Sequence, residues 1–261
     1  MKFVIICVLI CASVTASAAI DRTAFSFTHY DLDVRIEPAQ QRLAVRGKVS
    51  LRNDSNAPQK NVFLQISSSL DWLSITADGK PLQFVSQPYT SDIDHTGALS
   101  EAIVSLPQAL APGQSIDLQV GYEGVVSLDA TRLTRIGAPE ADAKHSDWDQ
   151  IASPFTAVRG AGYVSWYPLA TEAASLSDQD SVFETLANWN SRESSATMEA
   201  NLCVEAEAGH PITVLANGDA VSSPTGAQAA SSCHRFHFSH MKSVSPSFAA
   251  GPYRHLQHQL A

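Results

Sequence analysis

Apolar residues occupy every second position over Tyr30, Leu32, Val34 and Ile36, with Asp31, Asp33 and Arg35 between them. A period of two puts all the apolar side chains on one face, which predicts a half-buried strand. Leu43, Val45, Gly47, Val49 and Leu51 repeat the pattern against Arg46, Lys48 and Arg52, and Glu37-Pro38-Ala39-Gln40 separates the two runs as a turn. The pair therefore reads as an antiparallel hairpin. Asn53 to Pro58 breaks the second strand, and Val62, Leu64 and Ile66 begin a third. Leu73 and Ile75 run into Asp78-Gly79, a strong two-residue turn signal, from which Leu82 and Phe84 return. Ile103, Val104 and Leu106 lead to Pro107, and Ala111-Pro112-Gly113 turns the chain into Ile116, Leu118, Val120 and Tyr122. Short strands joined by turns, with no strand–helix–strand rhythm, predict an all-β fold of stacked antiparallel sheets.

The middle of the chain is less regular. Residues 128–150 are polar and read as a long surface excursion, whereas 154–168 hold Phe155, Tyr163, Trp166 and Tyr167. One short helix is predicted over Asp178 to Asn190, with Val182, Phe183, Leu186 and Trp189 on one face and Asp178 or Asp180 as its cap. Strand patterning resumes at Met198 to Val204 and Ile212 to Ala216, Asn217-Gly218 marks another turn, and Arg235 to Phe238 closes the pattern.

The first eighteen residues stand apart. Lys2 precedes the apolar run Phe3 to Ala12, and Ala16-Ser17-Ala18 supplies the small residues of a cleavage site, so 1–18 reads as a signal peptide. A bilayer-spanning helix needs about 20 apolar residues, and no such stretch follows. The expected mature chain, 19–261, forms one domain that is secreted or periplasmic. Cys7 and Cys11 leave with the leader, and the remaining pair, Cys203 and Cys233, is expected to form a disulfide in an oxidising compartment. Two unpaired buried thiols are the alternative. With 17 basic against 26 acidic residues, the surface is ill suited to phosphate backbones, which argues against a nucleic-acid partner.

Candidate chemistry is sparse. His234, His237 and His240 recur every third residue, with His255 and His258 beyond. On a strand, His237 would point away from His234 and His240, so the segment does not offer three converging zinc ligands. There is no H-E-x-x-H, no G-x-S-x-G elbow and no glycine-rich phosphate loop. No catalytic or metal-binding residues are therefore assigned. Tyr163, Trp166 and Tyr167 form either an aromatic contact surface for a sugar or peptide, or a satellite core beneath a loop.

The order of these elements resembles the N-terminal domain of M1-family zinc aminopeptidases. The resemblance rests on His29-Tyr30-Asp31-Leu32-Asp33-Val34-Arg35-Ile36-Glu37-Pro38 followed by Val45-Arg46-Gly47-Lys48-Val49, and on Ser165-Trp166-Tyr167-Pro168. It extends to Val214-Leu215-Ala216-Asn217-Gly218, and to Phe236-His237-Phe238 through Met241 and Pro246 to Phe248-Ala249-Ala250-Gly251-Pro252-Tyr253. It implies a saddle-like antiparallel β-sandwich that packs against a zinc domain and helps wall its active site. Zinc is then expected only in that separate catalytic domain and no cofactor in this chain, which is either a truncated product or a fragment whose zinc domain is encoded downstream. Met198-Glu199-Ala200-Asn201 is similar to the family's G-x-M-E-N motif, but it has an extra alanine and lies too early. Where family members carry Q-x-E, this chain has Phe155-Thr156-Ala157-Val158-Arg159-Gly160. A different class of function, a free-standing exported β-sandwich that binds a peptide, glycan or protein, is the alternative, with the aromatic cluster as its best feature.

Overall fold

The computed structural model describes residues 21–179, 181–205, 212–221, 231–239, 241 and 245–253. The leader at 1–18, Asp180, His240, His255 and His258 lie outside the described residues. The opening hairpin joins β1 (Phe25–Glu37) to β2 (Arg42–Asn53), with Leu32 opposite Gly47, Val34 opposite Val45 and Ile36 opposite Leu43. Between them Pro38–Gln40 forms a short 3-10 turn that closes on Gln41 in the left-handed region, at φ 55°. The following strands are β3 (Gln59–Ser67), β4 (Leu70–Ala77), β5 (Lys80–Pro81), β6 (Gln83–Thr90), β7 (Ala98–Leu110) and β8 (Ser115–Val125). Then come β9 (Thr156–Val158), β10 (Thr197–Glu205), β11 (Thr213–Ala216), β12 (Asp219–Ala220), β13 (Ser231–Phe238) and β14 (Phe248–Gly251).

Three sheets result. An eight-stranded sheet runs β12-β13-β10-β1-β2-β8-β4-β5, and two three-stranded sheets run β3-β7-β6 and β11-β14-β9. The all-β expectation holds. One pair departs from the antiparallel rule: β1 and β10 run parallel, with Tyr30 opposite Met198 and Val34 opposite Leu202. Alternation reports which face a side chain occupies and says nothing of strand direction, so the sequence pattern did not distinguish the two.

Both turns are placed where expected, and Asp78-Gly79 joins β4 to an antiparallel return. Asp78 (φ 49°) and Gly79 (φ 72°) both take positive φ, as a tight primed turn requires. The return strand is the two residues of β5, extended by the Leu82 N–H, which donates to the Ile75 carbonyl at 2.9 Å, and from Gln83 the chain passes to another sheet, where Phe84 pairs with Val104. Asn217-Gly218 does not close a hairpin, since β11 pairs with β14 and β12 with β13.

Two short helices, α1 (Thr131–Arg135) and α2 (Glu140–Ser146), interrupt the polar excursion, so the expectation of a single helix is incomplete. The predicted helix is α3 (Ser181–Arg192). Val182 and Trp189 are buried and Leu186 packs against the core, whereas Phe183 is 70% exposed. The buried stripe is i, i+4, i+7, and Phe183 lies outside it.

The core lies between the inner face of the large sheet and the smaller layers. Tyr30, Leu32, Leu43, Leu51, Leu64 and Ile66 are all buried in it. Residues 164–171 run through this core without regular structure, and every one of them is buried. Gly47 shows how close the strands lie: a Cβ built there would sit 2.1 Å from the Asp31 carbonyl oxygen and 2.8 Å from Leu32 Cα. Both obstacles are backbone, so β1 and β2 would have to separate. Gly47→Ala is expected to cost about 2 kcal/mol or more in urea unfolding. Gly79→Ala meets no neighbouring atom, and it should cost only the ~1 kcal/mol of an unfavourable φ.

Candidate functional site

The polar excursion folds over a buried ionic cluster. Arg132 on α1 is 5% exposed, and Asp92, Asp147 and Asp149 are 1% or less. Arg132 donates from Nε and Nη2 to the two carboxylate oxygens of Asp147, at 2.8 and 2.9 Å. Its Nη1 donates to the backbone carbonyls of Asp92 (2.7 Å) and Gly162 (2.5 Å). Arg159 donates to Asp149 through its backbone N–H (2.6 Å) and its Nε (2.8 Å). Its guanidinium lies 4.2 Å from the Trp148 ring centroid and 3.5 Å from that of Tyr163. Asp92 pairs with Arg135 and accepts the Leu176 N–H at 2.7 Å.

Each buried acid thus faces a guanidinium in a closed geometry, which suits holding loops rather than moving protons. Arg159, in the 155–160 stretch, is engaged by Asp149. The burial of these acids was not legible in the sequence, because they sit in a polar run without periodicity. The only signal was the recurrence of Arg and Asp within it.

Of the expected aromatic contact surface, Trp166 and Tyr167 are fully buried, so neither presents a surface to a ligand. They belong to the core. Trp166 packs edge-on against Tyr167 (5.0 Å) and Phe248 (5.4 Å), and its Nε1 donates to the Pro246 carbonyl at 2.9 Å. Tyr163 is half-buried and is taken up by Arg132 and Arg159. A run of aromatics in an apolar neighbourhood has the same pattern in either role, and burial decides between them.

Beside this core, Asp94 is buried and accepts from the Ser165 N–H (2.9 Å), Ser67 Oγ (3.0 Å) and Thr96 Oγ1 (2.9 Å). Burial pushes its carboxyl above the ordinary carboxylate range. Neither ring nitrogen of the neighbouring, fully buried His95 has a hydrogen-bond partner among the described residues. At the end of α3, burial raises the Glu193 carboxyl from an ordinary 4.5 to about 7, against the pull of Arg192.

Of the histidine run, His234 and His237 are described, and they bond different partners. His237 Nδ1 lies 2.6 Å from Glu199 Oε1, while His234 Nε2 lies 2.8 Å from Ser232 Oγ. Among the described residues, no three His, Cys, Asp or Glu side chains are placed to hold a metal ion. Glu199 belongs to the Met198-Glu199-Ala200-Asn201 stretch, which is part of β10. Cys203 and Cys233 form a disulfide between opposed positions of β10 and β13. No helix of the described residues is long and apolar enough to cross a membrane.

The architecture defines a class: the chain has the fold found in part of the M1 zinc metallopeptidases. A mutant M1 zinc metallopeptidase from Deinococcus radiodurans bound to a Tyr-Ser-Ala substrate matches with a TM-score of 0.57 at 14% identity, over 88% of this chain and 43% of that one. The same mutant, described without that substrate, matches with a TM-score of 0.50 at 14% identity, over 88% of this chain and 42% of that chain. An M1 zinc metallopeptidase from the same organism matches at 0.50 and 15% identity, over 87% and 42%. The chain thus spans less than half the length of these neighbours. No family model and no curated protein matches the sequence.

Two outcomes follow from the buried charges. Arg132→Met removes both hydrogen bonds to the buried Asp147 carboxylate and leaves it only the Arg159 guanidinium at 3.8 Å, which should cost about 3 kcal/mol in chemical denaturation. Glu193 acts through pH. Its folded pKa lies above the unfolded value, so its contribution is fully present below about pH 4.5 and is lost as pH rises through about 7. Stability should fall by about 3 kcal/mol across that window, and Glu193→Gln should flatten the decline in a series of melts from acid to neutral pH.

Proposed function

We propose that this chain is the non-catalytic β domain of an M1-like zinc metallopeptidase, packing against a zinc domain and helping to wall its active site. One observation carries the reading: 88% of the chain follows less than half of an M1 zinc metallopeptidase, with a TM-score of 0.57. The order of motifs from Tyr30 to Tyr253 points the same way, and so does the lack of H-E-x-x-H. On this reading residues 1–18 are a cleaved leader, 19–261 are one exported domain, and zinc is held by the partner domain alone. The Cys203–Cys233 disulfide fits an oxidising compartment. The alternative of a self-sufficient binding module loses its best support, because Trp166 and Tyr167 are core residues.

Metal analysis and hydrolysis assays on the purified chain test the proposal. The chain alone should bind no stoichiometric zinc and leave aminoacyl-anilides uncleaved. Both properties should appear only with a polypeptide carrying H-E-x-x-H, fused or separate. One equivalent of zinc together with hydrolysis by this chain alone would end the proposal.

A further inference from the structure

The outward face of the large sheet is crowded with charges, many of them matched. Arg35 pairs with Glu37 and Glu205, Arg42 with Glu37 and Glu123, Lys48 with Asp117, and Arg235 with Asp31 and Glu199. Arg46 and Asp33 are not. They stand directly opposite each other across β1 and β2, both exposed, and neither forms an ion pair with a described residue. Asp33 receives only the side-chain amide of Asn201, at 3.1 Å.

The surface beside them is hollow. Continuing across the sheet, Arg46 is opposite Gly121, which is opposite Ser74, while in the next row Ala44 separates Arg35 from Glu123. Ala44 lies in a depression of about 460 Å³ that is walled by Asp33, Arg46 and Leu73 and rimmed by the paired Arg35, Arg42 and Glu123. A second depression, of about 400 Å³, holds Gly47, Ser74 and Gly121 and shares Arg46 and Leu73 with the first. Leu73 is there because of a β-bulge: the β4–β8 register shifts between Trp72 and Ser74, which turns Leu73 outward at 53% exposure. An anion and a cation without ion-pair partners among the described residues and an apolar wall thus meet around Ala44, with Gly121 and Ser74 opening the floor beyond Arg46.

We propose that this hollow binds a free α-amino acid with an apolar side chain. Its ammonium group would face Asp33, its carboxylate Arg46 and its side chain Leu73. Residues directly opposed across a strand pair carry Cβ atoms about 5 Å apart. An ammonium and a carboxylate on a single carbon match that spacing, whereas a ligand with one charge leaves one protein charge unsatisfied. The inference stands independently of the function proposed above, since it uses only the outer face of this chain.

Amide-resolved NMR titration of the full chain with L-leucine tests it, against N-acetyl-leucine, which lacks the ammonium, and leucinamide, which lacks the carboxylate. Leucine should give saturable shifts at millimolar concentration centred on Arg46, Leu73 and Gly121. Either blocked derivative should bind about tenfold more weakly or worse, the loss of one charge-assisted contact. Arg46→Gln and Asp33→Asn should reproduce these losses with the remaining spectrum unchanged, and Leu73→Ser should weaken leucine but not glycine. Equal binding by either derivative, saturation on another face, or no saturable shift at millimolar leucine overturns the proposal.

Discussion

A stretch of irregular backbone buried at the centre of a β protein must find hydrogen bonds without a ladder to supply them. Residues 164–171 are that stretch, and much of the interior is arranged around them. Tyr30 and Tyr122 donate their hydroxyls to the carbonyls of Pro168 and Trp166, at 2.9 and 3.0 Å. Gln65 bonds Leu169 through its backbone in both directions, and its side-chain amide accepts from the Thr171 N–H and donates to the Thr171 carbonyl. Asp94 takes the Ser165 N–H, and Arg192 donates to the Ala170 carbonyl. Polar groups from β1, β3, β8, α3 and the 91–97 loop therefore converge on one segment. Burial raises both tyrosine hydroxyls far above their ordinary titration, so they remain donors.

The ionic cluster under α1 extends the same logic outward. Arg132 ties the carbonyls of Asp92 and Gly162 to Asp147, so one guanidinium joins the 91–97 loop, the entry to the aromatic segment and the end of α2. Gly160 completes the arrangement with φ 81° and only 2.5 Å between a built Cβ and the Pro246 carbonyl. That approach brings β14 and its flanks against Trp166. Loops without repeating pattern are thus tied to one another by a few charged side chains with little exposure.

Much of the fold was legible because alternation is local. The faces of β1, β2, β8 and β10 follow from period two alone, and Asp78-Gly79 announces its turn by residue type. Strand partners were less accessible. Which strand lies beside β1 on its second edge depends on residues more than 160 positions away in sequence, and a return strand two residues long carries no periodic signal. The candidate site was the least legible part. Asp147 and Asp149 look like solvated acids until Arg132 and Arg159 are brought over them, and Trp166 and Tyr167 are equally apolar on a surface or in a core. Gln65 would pass for an ordinary outward position in a strand, yet its amide serves the buried segment.

The parallel seam between β1 and β10 also has a temporal meaning. The opening hairpin emerges before the other strands, but the strand that covers its flank is made only after about another 145 residues, roughly seven to thirty seconds at ordinary elongation rates. Until then one row of backbone N–H and C=O groups along β1 stays open, an adhesive margin for any extended neighbour. Arg35, Asp31 and Asp33 spaced along that strand place charge at every second step of it. Charge so placed disfavours edge-to-edge pairing of that strand before its late-arriving neighbour closes the gap.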